Sequence, residues 1–172
     1  MVFDVVASRQ RKYTSRVRPL VARWCEMVGN PSLAQLASRP LRAGEFGLRG
    51  TEPDTMRTVA ANLLAFGEDL RVSEDEGCRA WALGVEGLEH AHKLDPVVGG
   101  VSGLGPALFA YMRMGCGGNT LKPDVRVAKA LRSLGFTLSG DVHSILVTAR
   151  AAAAEVGVDG LTLDQLLWAL ED

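Results

Sequence analysis

The sequence predicts an all-α protein. Three observations carry that prediction. Apolar residues recur at the 3.6-residue helical spacing, and the two-residue alternation of a half-buried strand is never sustained. Ala, Leu, Arg and Glu, all strong helix formers, are abundant. Helix-start residues stand ahead of one apolar pattern after another along the 172-residue chain.

Taken in order, Val2, Phe3, Val5 and Val6 open a helix expected over residues 2–11. A second spans residues 14–28 on Val17, Leu20, Val21, Trp24 and Val28, with Thr14 or Ser15 as its cap. Gly29-Asn30-Pro31 stops it. Asn30 or Ser32 starts a short helix that runs through Ala37, and Arg39-Pro40 ends it. Phe46-Gly47-Leu48 leads into a loop through Gly50. Asp54 begins a helix through Phe66. Ser73 with Glu76 three residues later is a capping box for a helix through about Leu83. Residues 85–93 read as helical despite Gly87.

Asp95-Pro96, a cap followed by a first-turn proline, opens a short apolar helix expected over residues 97–101. Residues 106–114 form the next helix, stopped by Gly115-Cys116-Gly117-Gly118-Asn119. Asp124 caps a helix through Leu134, which Gly135 ends. Asp141 caps a long helix through Val156, whose alanine run suits close packing. Thr162 with Gln165 makes a second capping box for a final helix over residues 163–170.

Length and composition narrow the function. Hydrophobic residues make up 47%, enough for a sizeable core in one domain, residues 1–172, divisible into two lobes. Net charge is −1, so overall basicity announces no nucleic-acid partner. The charge is uneven, however. Residues 1–23 carry Arg9, Arg11, Lys12, Arg16, Arg18 and Arg23 against Asp4 alone. Such asymmetry builds either a binding face or a solvated helix surface. The three cysteines, Cys25, Cys78 and Cys116, are far apart, imply no disulfide framework and suit a reducing cytosol. His90, His92 and His143 lack metal-ligand spacing, so no metal site is expected. No signal peptide and no apolar run of about 20 residues is read, so a cytoplasmic protein without a membrane partner is expected.

Two segments carry chemistry. Ser102-Gly103-Leu104-Gly105-Pro106 joins two helical patterns, and Asp124 follows Gly105 by nineteen residues. The glycine segment reads either as a tight turn between packed helices or as a phosphate cradle. In the second case its glycines allow close backbone approach and the helix after Pro106 offers free N–H groups. No strand precedes it and the P-loop lysine is missing, so it is not a nucleotide-binding loop. Asp124 reads either as a plain cap or as a carboxylate kept ionised by the helix terminus and fixed in place for chemistry.

Together these residues resemble the helix-hairpin-helix DNA glycosylases of the endonuclease III type. Residues 95–135 follow the order of that family: short helix, hairpin Ser102–Leu108, amphipathic helix, glycine turn, Pro123-Asp124-Val125, helix. Weaker similarity lies in Phe3-Asp4-Val5-Val6, Ser8-Arg9-Gln10, Phe46-Gly47-Leu48 and Asp164-Gln165-Leu166-Leu167-Trp168. The resemblance implies a two-lobed helical fold, duplex DNA as partner, and hydrolysis of the bond between a damaged or modified base and deoxyribose, with Asp124 catalytic. It implies DNA contacts from Gly103, Leu104, Gly105, Pro106 and Ala107, from Arg9, Arg11, Lys12, Lys122 and Arg126, and from Gln10, which would fill the gap left by an extruded base. Tyr13, Trp24, Tyr111 and Trp168 are candidates for stacking on that base or for the core.

The helix that often precedes the family's core is not read ahead of Phe3, and three further departures stand in the residues. The lysine of strand-cleaving members, two residues after the second hairpin glycine, is Ala107 here. The four cluster cysteines are absent, and Val101-Ser102 replaces the leading Leu-Pro. These departures imply a monofunctional glycosylase without iron–sulfur cluster, cofactor or metal. The alternatives are a catalytically inactive helix-hairpin-helix DNA-binding protein and a helical interaction domain unrelated to DNA. Either DNA-binding protein would work where DNA is, in a bacterial nucleoid or a eukaryotic nucleus.

Overall fold

The computed structural model describes residues 1–170, and among these the fold is all-α, with no strand. Its buried apolar side chains form two clusters. The first gathers residues from Val2 to Cys116, and the second gathers residues from Leu121 to Leu167.

The first core is built from α1 (Val2–Ala7), α2 (Arg18–Val28), α3 (Leu33–Ser38), α4 (Glu52–Leu70), α5 (Glu74–Gly84) and α6 (Pro106–Gly115). The long α4 packs against α1, α3 and α5. Its face of Met56, Val59, Ala60 and Leu63 is fully buried. The helix starts at Glu52, two residues ahead of Asp54, because Thr51 and Pro53 fit its first turn. The capping boxes of α3 (Ser32 with Gln35) and α5 (Ser73 with Glu76) are both formed. Phe3 stacks on Trp24 at 5.2 Å between ring centroids, so Trp24 belongs to the core and is not a base platform.

The second core is a three-helix unit of α7 (Val125–Ser133), α8 (Val142–Val156) and α9 (Gly160–Ala169). Asp124 and Asp141 cap α7 and α8, and Gly157 ends α8 at φ +75. The alanine run of α8 packs closely, with Ala149, Ala152 and Ala153 buried.

Several sequence expectations are corrected. Helix α1 ends at Ala7, and Gln10, expected inside it, has φ +52, which no helix accepts. Residues 13–17 form a π-turn ahead of α2, so neither Thr14 nor Ser15 is its cap. Phe46 lies within a short 3-10 turn, Glu45–Gly47, which leads into the loop through Gly50. Residues 85–93 become a kinked 3-10 segment, Leu88–Leu94. The final helix is capped by Asp159, whose carboxylate takes the Thr162 amide at 2.7 Å, so Thr162 is not the cap.

The largest difference concerns residues 97–101, which form consecutive turns and no helix. Asp95 behaves as a cap, accepting from the amides of Val97, Val98 and Gly99 at 3.2, 2.9 and 2.8 Å. The turn does not propagate, because Gly99 and Gly100 disfavour helix and the chain there presses on its neighbour. A Cβ on Gly99 would lie 1.8 Å from the carbonyl oxygen of His92. The arm leading into the glycine hairpin is therefore a turn-rich strap.

Candidate functional site

The hairpin is fixed from below. Gly103 has φ +88, and a Cβ there would come within 2.9 Å of Thr55 Oγ1 and 3.1 Å of an Arg9 nitrogen. Glycine is thus required by both conformation and space. Thr55 of α4 donates its hydroxyl to the Ser102 carbonyl at 3.0 Å, and Lys93 donates to the Leu104 carbonyl at 3.3 Å. Leu104 is buried, so only its backbone is available to a partner.

Gly105 differs from Gly103. It is the extended N-cap of α6 (φ −100, ψ 177), and nothing lies within 4 Å of where its Cβ would be. Beyond it, the amides of Ala107 and Leu108 precede the hydrogen-bond ladder of α6, at the positive end of the helix.

Asp124 is held at the start of α7. Its Oδ1 accepts from the amides of Arg126 and Val127 at 2.9 and 3.1 Å. Its Oδ2 lies 3.5 Å from the Lys122 ammonium, which also sits 4.6 Å over the Tyr111 ring. One oxygen therefore orients the side chain while the other faces outward beside a cation.

Two cavities meet at Asp124. The first, about 540 Å³, brings together Arg9, Gln10, Ala107, Lys122 and Asp124. Residues far apart in sequence, from the turn after α1, the hairpin helix and the start of α7, thus surround one depression. Gln10 is exposed and held at φ +52, a conformation that a non-glycine residue adopts at a cost.

The second cavity, about 690 Å³, lies where the two cores meet. Tyr13, Tyr111 and Trp168 line it, with Lys12, Lys122, Asp124 and Asp164. Tyr13 and Trp168 meet edge to face at 6.4 Å. Both tyrosine hydroxyls donate to Asp4 Oδ2, at 3.2 and 3.1 Å. Burial, followed by the charge of Asp4, pushes both tyrosines up and keeps them protonated donors.

Not every expected contact residue faces a partner. Arg11 is committed to the interior. Its guanidinium clasps both Glu52 oxygens at 2.8 Å and donates to the carbonyls of Ala7 and Gly47 at 2.7 and 3.0 Å. Its side chain is 3% exposed, so it serves the fold and leaves no edge for a phosphate. Arg126 lies flat on Trp168 at 3.7 Å and donates to the Trp168 carbonyl at 2.9 Å, which makes it part of the cavity wall. Arg9 stays partly open, with a side chain 33% exposed, and Lys12 is exposed.

Sequence reasoning passed over Asp164 and Asp4. Asp164 is 6% exposed, and one oxygen accepts the Lys122 amide at 2.9 Å. Burial above all raises its affinity for a proton, against the lowering effect of the Lys122 amide, and the nearby Asp124 charge adds to the rise. The signal was present: Asp164 and Trp168 are four apart and share a helix face. Asp4 was legible as the one charge in an otherwise apolar first helix. Among the described residues no group of three or more His, Cys, Asp or Glu side chains is arranged to hold a metal. No described helix is long and apolar enough to cross a membrane.

Compared with protein-family models, curated proteins and solved structures, the chain matches none.

Proposed function

We propose that this chain is a monofunctional DNA glycosylase of base excision repair, acting on duplex DNA. One observation carries the reading: Gln10, Ala107 and Asp124 surround one depression that adjoins an aromatic cavity between two cores. In this reading the amides at the start of α6 take a backbone phosphate, and Arg9 and Lys12 add charge around it. Gln10 fills the gap in the stack, and the extruded base enters the cavity of Tyr13, Tyr111 and Trp168. The two cores are the two lobes of a glycosylase-like fold, with the cleft at their junction.

The chemistry follows from Asp124. The bond from C1′ to the base nitrogen breaks, and its electron pair leaves with the base. Positive charge grows on C1′ and the ring oxygen. The outward Oδ2 of Asp124 opposes that charge and orients the water that adds at C1′, whose released proton ends on the departing base. Ala107 supplies no amine, so the product is an abasic site with an intact strand.

The inactive DNA-binding alternative draws on the Lys122 ammonium beside Asp124 Oδ2, which occupies the oxygen that hydrolysis would use. Base release from duplexes each carrying one lesion separates the two. Release of any lesion base supports the enzyme. Salt-sensitive duplex binding without release from any lesion supports the alternative.

A further inference from the structure

A largely buried carboxylate whose oxygens are not all bonded within the protein favours a hydrogen-bond donor brought by an occupant. Asp164 has one such donor, the Lys122 amide at 2.9 Å. Its other oxygen accepts no hydrogen bond among the described residues. The side chain is 6% exposed and lines the aromatic cavity of about 690 Å³. What that oxygen lacks, an occupant of the cavity can supply.

The cavity walls say what kind of occupant fits. Tyr13, Tyr111 and Trp168 offer ring faces and edges to a flat group. The tyrosine hydroxyls are already spent on Asp4. The Lys122 ammonium is engaged by Asp124 and the Tyr111 ring. Asp164 is the carboxylate of the cavity whose second oxygen has neither a hydrogen bond nor an ion pair among the described residues, so it suits an N–H on the edge of a ring lying between those walls.

We infer that Asp164 is the specificity-determining residue of this pocket, its free oxygen accepting an N–H from the edge of the extruded base, so that the substrates are bases carrying an imino or amino donor on that edge. This rests on the glycosylase reading above. Hypoxanthine, with N1–H, and uracil, with N3–H, belong to the class. In 1,N6-ethenoadenine the bridge removes the N–H donors of that edge and leaves C–H groups and one ring-nitrogen lone pair, so the carboxylate finds no N–H to accept.

The substitution Asp164→Asn tests this with little change of shape. The Lys122 amide still needs an acceptor, so the Asn carbonyl oxygen is held there and its NH₂ turns to the cavity. The acceptor becomes a donor. The proteins are assayed on three duplexes, carrying hypoxanthine, uracil or 1,N6-ethenoadenine, and on a fourth with a tetrahydrofuran abasic analogue.

The wild type is expected to release hypoxanthine or uracil in preference to ethenoadenine. Asp164→Asn should lower the favoured release by roughly 10- to 100-fold and shift preference toward ethenoadenine. Affinity for the abasic duplex should stay unchanged. The wild-type rate on the donor-edged base should also fall as acid protonates Asp164, at a higher pH than for an ordinary carboxylate, and the Asn variant should lose that step. If the Asn variant does not fold, Asp164→Ser gives the comparison, its hydroxyl able to accept the Lys122 amide; preference should then flatten.

A wild type that prefers ethenoadenine overturns the assignment, and so does a variant that keeps the wild-type preference. Both outcomes leave the glycosylase reading standing, because base is still released. A wild type inert on all three base-bearing duplexes also overturns the assignment, and the wider lesion screen then decides the glycosylase reading separately.

Discussion

The imidazoles of His90 and His143 meet Nδ1 to Nδ1 at 2.9 Å, one from the Leu88–Leu94 turn and one from α8, so they tie the first core to the second. Arg150 of α8 reinforces the tie, donating to the buried Glu89 at 2.8 Å. Glu89 also holds the fully buried Arg113 of α6. At the contact itself one nitrogen must accept, so the pair cannot be doubly protonated without repulsion.

Acid should therefore weaken this junction. Partial burial first, then the charges of His143 and Arg150, hold His90 below its ordinary pKa, against the raising effect of Glu89. A histidine depressed in the fold takes its proton more readily when unfolded. Its stabilising effect is complete above the ordinary value of about 6.5 and is lost as pH falls below it. Thermal midpoints should drop from about pH 8 to about pH 5, and less so in His143→Gln. The slope should not vanish, because burial also depresses His92. An unchanged slope in His143→Gln would remove the histidine contact as its cause.

Asp124→Asn should separate chemistry from folding. Asn is a comparable cap, so the two amide bonds to Arg126 and Val127 survive in kind. On the proposed reading the charge that would face the sugar is gone, and base release should fall by orders of magnitude, about 3–4 kcal/mol. Asp124→Ala should additionally cost about 1 kcal/mol of stability in urea titration. Undiminished release by the Asn variant would reduce Asp124 to a cap.

The two hairpin glycines should fail differently. Gly103→Ala forces a side chain into left-handed backbone against Thr55 and should cost about 1–2 kcal/mol of stability. Gly105 has ordinary extended backbone and open space, so Gly105→Leu should cost no more than about 1 kcal/mol in urea titration, the difference between Gly and Leu as a helix cap. It should still weaken duplex binding at low salt, where phosphate contacts dominate. Full duplex affinity in the Leu variant would remove the hairpin from the interface.

Glu52→Ala should be among the most damaging single changes. Glu52 is fully buried and takes both arms of Arg11 as well as the Arg49 amide at 2.8 Å. Removing it strands a buried guanidinium, at about 3–5 kcal/mol. A loss under 1 kcal/mol by denaturant titration would contradict the structural role of Arg11.

Borohydride should trap no covalent adduct with duplex DNA. The lysine position is Ala107, and the nearest amine to Asp124 in sequence, Lys122, is already engaged, its nitrogen 3.5 Å from that carboxylate and 4.6 Å over the Tyr111 ring. An adduct that disappears in Lys122→Ala would assign the amine to that residue instead.

Local chemistry made much of the fold legible. Ser32, Ser73 and Asp141 cap the helices that their own neighbours announce, and Gly157 stops α8 where Val156 ends the pattern. Misreadings arose where two local signals competed or where a distant contact decided. Asp159 and Thr162 are both good caps three residues apart, and Asp159 takes the Thr162 amide. Asp95 announces a helix, but Gly99 lies against the His92 carbonyl, which no local pattern encodes. In the site, Asp124 was legible because capping is local. Its neighbour Asp164 lies 40 positions away, and Arg11 reads as a free basic residue until Glu52, 41 positions on, is brought beside it.

The chain contains three tryptophans, and their placement makes them separate optical reporters. Trp24 is stacked on Phe3 inside the first core. Trp81 donates its indole N–H to Asp95 at 3.2 Å, the same carboxylate that gathers the strap before the hairpin. Trp168 lies half-buried in the wall of the aromatic cavity beneath Arg126. A ligand entering the cavity should quench Trp168, while loosening of the strap should shift the emission of Trp81. Single-tryptophan variants would let stopped-flow fluorescence order the two events in time, without attaching a dye to protein or DNA.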